Sequence, residues 1–402
     1  MRVLFNLLPG MVNIITGLFM FISAKRMADS GASSFMVGAT MAVWAFFYAS
    51  SAFVLGRILT KRNAVKVLLA GQGILLIALL GLALMPQVTA QYFWLPGTGI
   101  GTAAFFTSFQ VVVKLFGKEE YALESVSKNV AVYTLSWSFG IASGPMLAMF
   151  VWGLFSPKEG WRYCYFITIG MVLFITICLL LMNGFVKRRL AELGEADEQT
   201  AAPVIPEEQK ALPDLIIASW SMSIFSGCVV AMMRTHLPDY CTKVLHMETW
   251  KQSAVLALIS YAQAFAGLAC WKARRWQYRP AVLGVAVLGG IIAMLIFSFS
   301  SSYYAYLPAA VLLGIFYGVF YFMSTFHALI NPVKTARYAG GNETIVGFTA
   351  MLAPIAGGML AMQSGEMRFP FWLGAVLMLL ALVSFVFFSI RARKLKASSA
   401  AE

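Results

Sequence analysis

The chain has 402 residues, of which 60% are hydrophobic and only 12% charged. Water-soluble domains carry about 45–50% apolar and ~25% charged residues, so this chain lacks the polar groups to cover a water-facing surface. The low charge density also excludes disorder, and no glycine period supports a fibre; with a mean hydropathy of +0.78, the chain belongs in a bilayer.

A membrane span takes ~20 mostly apolar residues. Apolar runs fall near 4–24, 34–56, 65–85, 92–115, 125–153 and 162–184, and resume near 214–235, 250–271, 280–300, 303–327, 341–363 and 369–390. The division is six spans (1–186), a linker (187–213) and six more spans ending in a short basic tail (214–402). The linker opens with Lys187-Arg188-Arg189 and continues through acidic residues and prolines, a composition that reads as a solvated segment. The first apolar run is long and lacks a small-residue cleavage site, so no cleaved signal peptide is expected.

Lys and Arg counts orient the spans. With the N-terminus inside, cytoplasmic segments hold 22 of the 30 basic residues, and both termini are expected in the cytoplasm. The net charge of +13 then reflects topology and the anionic inner leaflet, not nucleic acid, because the basic residues are scattered over seven segments. Most tryptophans sit at span ends as interfacial belts require, but Trp44, Trp137 and Trp220 lie deep inside.

The chemistry-bearing inventory is thin. The five cysteines (Cys164, Cys178, Cys228, Cys241, Cys270) show no pairing or ligand spacing and read as small buried hydrophobes. His236, His246 and His327 offer no metal or acyl-transfer pattern. Gly97-Thr-Gly-Ile-Gly101 lies inside a span and not after a strand, so it is no dinucleotide fingerprint. No enzyme, cofactor or metal is expected.

The two halves echo each other. Gly56 and Lys61 after span 2 match Gly267 and Lys272 after span 8 at an offset of 211, and Gly144-Pro145 matches Ala353-Pro354 at 209. Two signals at nearly one offset indicate a duplicated six-span unit.

With Gly140-Ile-Ala-Ser-Gly144-Pro145 in span 5 and Trp161-Arg162 opening span 6, the whole chain resembles the major facilitator superfamily. The family's loop between spans 2 and 3 stands here as Gly56-Arg-Ile-Leu-Thr60-Lys61-Arg62-Asn63, with Thr60 replacing the usual gating aspartate and Asn63 a glycine. The resemblance implies an all-α integral membrane protein: twelve transmembrane helices in two pseudo-symmetric six-helix bundles around a central cavity. Spans 1, 4, 7 and 10 would line it, while spans 2, 5, 8 and 11 join the halves. Gating would fall to Gly56, Lys61, Gly140, Gly144, Pro145, Gly267 and Lys272.

Helical spacing places Asn6, Gly10, Asn13 and Gly17 on one stripe, with similar stripes at Gly97–Ser108, Ser219–Val230 and Gly314–Thr325. The glycines read as close-packing or hinge positions, and the polar residues as cavity lining. Candidate solute contacts are Asn13, Trp44, Tyr133, Trp137, Ser223, Tyr261, Gln263, Tyr317 and Tyr321, because an aromatic ring with a polar tip gives flat contact and one hydrogen bond. Arg234 continues the span 7 stripe and suits a solute carboxylate or phosphate; the alternatives are snorkelling or a pair with Asp239.

Coupling is the open question. Asn13 stands where relatives carry an acid, and Glu343 is read as lying in the first turn of span 11, pointing toward the other half. Weak or absent proton coupling is therefore expected, with Glu343 its carrier if it exists.

The resulting expectation is a secondary transporter of a small organic solute by alternating access, with efflux of an amphiphile as the leading form. Uptake of a sugar or organic acid, or a non-transporting receptor or lipid scramblase on the same fold, are the alternatives. The expected partners are the solute and the lipid bilayer, with no nucleic acid, for a monomer in a bacterial cytoplasmic membrane.

Overall fold

Long apolar runs in hydrocarbon must satisfy every backbone N–H and C=O internally, which leaves the helix as their form. The structure, a computed structural model, describes residues 2–32, 34–60, 62–113, 123–155, 159–194, 212–271, 276–331 and 334–399. Among them are twelve α-helices. The first six are α1 (Arg2–Asp29), α2 (Ser34–Ile58), α3 (Ala64–Leu84), α4 (Gln91–Val113), α5 (Leu123–Leu154) and α6 (Gly160–Gly194). The second six are α7 (Ile216–Lys243), α8 (Thr249–Cys270), α9 (Pro280–Phe299), α10 (Tyr303–Ile330), α11 (Thr335–Ser364) and α12 (Phe369–Ser399). Eleven contain stretches long and apolar enough to cross a bilayer.

Several helices outrun their apolar segments. Residues 187–194, assigned to the linker by composition, continue α6, and 195–211 lie outside the described residues. Helix α11 starts at Thr335, six residues before the apolar run, and is capped after Ser364 by Gly365, whose φ of +68° suits a residue without Cβ.

The helices alternate in direction, so the start of α1 and the end of α12 share one face, called here the terminal face. Lys396 of α12 donates to the Leu212 carbonyl just before α7 at this face. The opposite face is called distal.

Buried side chains form two main clusters, one per half. The halves meet where α2 packs on α11 and α5 on α8. A Cβ added to Gly340 of α11 would stand 2.4 Å from Gly56 Cα of α2, so the two backbones touch at the terminal face. Val126, Val130 and Ala131 at the start of α5 are buried within the core of the second half. Gln277 lies in the buried turn Trp276–Tyr278 and its amide donates to Ser127 at 3.4 Å. Among the described residues the two halves are in contact at the terminal face.

Candidate functional site

The centre of the seam holds a carboxylate. Glu343 of α11 is 8% exposed and accepts hydrogen bonds from the Tyr48 hydroxyl of α2 and the Gln110 amide of α4. The same Gln110 nitrogen donates to Tyr133 Oη of α5 at 3.3 Å. The acid thus comes from one half and its donors from the other. It is the only fully buried acidic side chain among the described residues whose burial is resolved. Nor is it a first-turn residue: α11 begins eight residues earlier, placing Glu343 ~12 Å along the helix. A helix N-terminus therefore does not explain it.

Beside this cluster lies a cavity of about 20 Å³ lined by Tyr133, Thr134, Trp137, Tyr321, Thr325, Asn342, Glu343 and Val346. About 10–15 Å³ of such volume admits one water, and solute pockets run to hundreds. The centre is therefore occluded. A larger concavity of about 610 Å³ lies between α9 and α10, but its lining is apolar apart from Ser300 and it opens to the outside of the bundle.

The rings of Trp137 and Tyr321, one from each half, meet at 5.1 Å between centroids. On the distal side of Trp137, the exposed Arg234 guanidinium stands 5.8 Å from the indole ring centre. Asp239 pairs with Lys243 at 2.8 Å. Behind the cavity wall, Asn342 accepts from Ser324, and Ser324 lies 2.8 Å from Ser223, whose hydroxyl also donates to the Ser219 carbonyl at 2.7 Å. These bonds tie α7, α10 and α11 together inside the second half.

The cavity accordingly gathers Tyr133, Trp137, Tyr321 and Glu343 from the sequence-derived candidates, with Arg234 at its distal edge. Others stand elsewhere. Asn13 is buried between α1 and α5, where its amide donates to the Trp137 carbonyl at 3.0 Å. Tyr317 is buried and points at the Val229 carbonyl of α7, 3.5 Å away. Ser223 is spent on the network above. Gln263 donates to Ser138 at 2.8 Å across the α5–α8 seam, and Tyr261 approaches the Met146 sulfur at 3.8 Å. Trp44 is buried against Tyr48, with ring centres 4.9 Å apart.

The glycine stripes are seams within a half, not cavity walls. A Cβ at Gly140 would lie 2.1 Å from the Gly10 carbonyl, and one at Gly144 2.7 Å from that of Ile14. The Gly10–Asn13–Gly17 stripe therefore faces α5. Gly101 faces Gly71 of α3, and Gly314 and Gly318 face α8. Pro145 sits at this α1–α5 contact, with its ring 3.2 Å from the position a Gly17 Cβ would take.

Of the gating positions, Gly56 meets Gly340 and Gly267 meets Thr134, both between halves, while Lys61 and Lys272 lie outside the described residues. Thr60 and Asn63 bond each other: Asn63 Oδ1 accepts from the Thr60 amide at 2.7 Å, and Thr60 Oγ1 from the Asn63 amide at 3.3 Å. That loop is closed on itself.

Sequence reasoning passed over Gln110, Thr134 and Asn342, and placed Thr325 on its cavity stripe without naming it a solute contact. For Gln110 a signal existed, since an amide in the apolar run of α4 needs a partner.

The chain matches the family described as Major Facilitator Superfamily over residues 7–332. It belongs to that superfamily, whose members are transporters with this twelve-helix fold. Among curated proteins it is similar to the proton-coupled antiporter flippase LtaA of Staphylococcus epidermidis, with 22% identity over 353 residues, covering 86% of this chain and 83% of that protein. Among solved structures, the human organic anion transporter MFSD10 (TETRAN) superposes with a TM-score of 0.69 at 14% identity, covering 95% of this chain and 98% of the other. The E. coli fucose:proton symporter FucP gives 0.64 at 13%, covering 96% and 98%. These likenesses extend over nearly the whole chain and establish the fold.

Proposed function

We propose that this protein is a proton-coupled secondary transporter that moves a small amphiphilic organic solute by alternating access. The observation that carries the reading is Glu343, an acid of one half held by donors of the other. Hydrogen bonds to an ionised group contribute about 1.5–3 kcal/mol each, against roughly 1 kcal/mol between neutral partners. An ionised Glu343 therefore holds the terminal face shut, and its protonation loosens that hold. Gln110 serves both states, since its amide donates to a carboxylate and, turned over, accepts from a carboxylic acid. The expectation of weak coupling rested on Asn13 standing where relatives carry an acid and on a helix-end placement of Glu343, and the second of these does not hold.

The aromatic walls at Trp137 and Tyr321 suit an amphiphile. Export by exchange against protons is the first reading of direction, in keeping with the similarity to LtaA, a proton-coupled antiporter flippase. Proton-linked uptake of an organic acid is the second, favoured by Arg234 at the cavity edge. By the basic-residue asymmetry, the terminal face lies in the cytoplasm.

The test is solute flux in proteoliposomes under an imposed pH gradient, with the wild type beside Glu343→Gln. Gradient-driven flux that Glu343→Gln abolishes supports the proposal, and the sign of the effective gradient distinguishes exchange from co-transport. Flux that is indifferent to pH, or equally pH-driven in the variant, overturns the coupling role.

A further inference from the structure

Arg234 is a charged side chain inside an apolar span that stops at Cys241, seven residues or ~10 Å further along α7. Ionisable groups at such depth are costly and normally have a stated partner. Asp239 is the nearest acid along the helix, and Lys243 holds it at 2.8 Å. Among the described residues no carboxylate pairs with Arg234. Snorkelling does not account for it either, because the guanidinium turns inward to Trp137 of the opposite half.

Magnitudes separate what Arg234 has from what it can bind. An exposed cation–π contact is a weak interaction, weaker than a charge-assisted hydrogen bond. A guanidinium fork on a carboxylate or phosphate makes two parallel charge-assisted bonds, each roughly twice as strong as a neutral one. The contact with Trp137 fixes where the charge sits and leaves its hydrogen-bond donors unspent. The Tyr321 ring, tilted against Trp137, lines the same cavity as Glu343. The cavity therefore has a cationic distal edge, two aromatic rings across its middle, and an acid at its base.

We infer that Arg234 is the anion subsite of the transported solute, which carries a carboxylate or phosphate on an apolar body that packs against Trp137 and Tyr321. This rests on the reading that the central cavity takes solute, and it does not depend on proton coupling. The anion has two sources, a lipid headgroup or a free organic acid or phosphate ester, and both present the same oxygens to the guanidinium.

The experiment is equilibrium binding and thermal stability of the full chain in phosphatidylcholine nanodiscs, with no pH gradient. The probes are 2-naphthyl phosphate and 2-naphthylmethanol, which share a body and differ in charge. The wild type should bind the phosphate at least tenfold tighter than the alcohol. Arg234→Gln should lose that tenfold for the phosphate and nothing for the alcohol, while Arg234→Lys keeps part of it. A second measurement needs no variant: inorganic sulfate should displace the naphthyl phosphate from the wild type and leave the alcohol bound. Phosphatidylglycerol added to the disc should weaken phosphate binding if the source is a lipid headgroup and leave it unchanged if it is a free solute; either result requires the site. Equal binding of the two probes by the wild type, or discrimination that survives Arg234→Gln, overturns the inference. Wild-type flux indifferent to pH in the preceding test, with this discrimination intact, would defeat the coupling reading alone.

Discussion

Tyr48 and Glu343, 295 positions apart in sequence, are joined by a direct hydrogen bond from phenol to carboxylate across the two halves. Tyr48→Phe removes that donor and leaves the ring in place. The expected outcome is a shift of about tenfold toward opening of the terminal face, from the loss of one charge-assisted bond. Spin labels placed across the α2–α11 seam would read the distance change. In a Glu343→Gln background the Tyr48→Phe effect should shrink to that of a neutral bond; if it stays full-sized, the two residues are not coupled.

Gly340→Ala and Gly140→Ala make a contrasting pair. Both add a methyl group where a neighbouring backbone stands within 2.4 Å. Gly340 lies between halves, so its variant should favour the open terminal face with little loss of thermal stability. Gly140 lies within one half, and overpacking there should cost about 1–3 kcal/mol of stability. Thermal unfolding and label distances measured on both variants check the assignment, which fails if their signatures exchange.

Asn13→Ala is expected to destabilise the fold by about 1 kcal/mol, because the Trp137 carbonyl loses its side-chain donor and keeps only its helical one. Solute affinity per folded molecule should not change. A normal melting temperature with lost solute binding would return Asn13 to the cavity.

Trp137→Ala should lower solute flux at least tenfold while the chain still inserts and folds, since the ring faces Tyr321 and Arg234. Flux per folded protein at the wild-type rate would make Trp137 a packing residue only.

The number of helices and the placing of α2, α5, α8 and α11 between the halves were legible from apolar run length and the family motifs, while the pairing of α2 with α11 and α5 with α8 was not. Helix faces were less so. A period of 3.6 places Gly10, Asn13 and Gly17 together, but small residues are needed equally where backbones touch and where a cavity opens. Only the Gly140–Gly10 approach distinguishes these cases. The start of α11 was misplaced because Thr335–Asn342 is polar and glycine-rich, so hydropathy ignores it. Asn331 marks the start, its side chain accepting from the Lys334 amide at 2.9 Å and its carbonyl from Thr335 Oγ1 at 2.6 Å. That shift of one and a half turns changes Glu343 from a helix-end acid into a buried one.

The contact of Gly56 with Gly340, continued by Ala49 against Gly347, has a further consequence. Residues this small bury little apolar area and have almost no rotamer freedom to lose on closing. Parting α2 from α11 therefore forfeits little free energy along most of its length. The seam acts as a low-friction bearing, and its balance rests on the few polar groups set into it. The duplication sharpens this: at the offset of 209, the position matching Glu343 is Thr134, a neutral hydroxyl on the α5–α8 seam facing Gly267. Of two mirrored hinges, the described residues set an acid into one and a neutral threonine into the other.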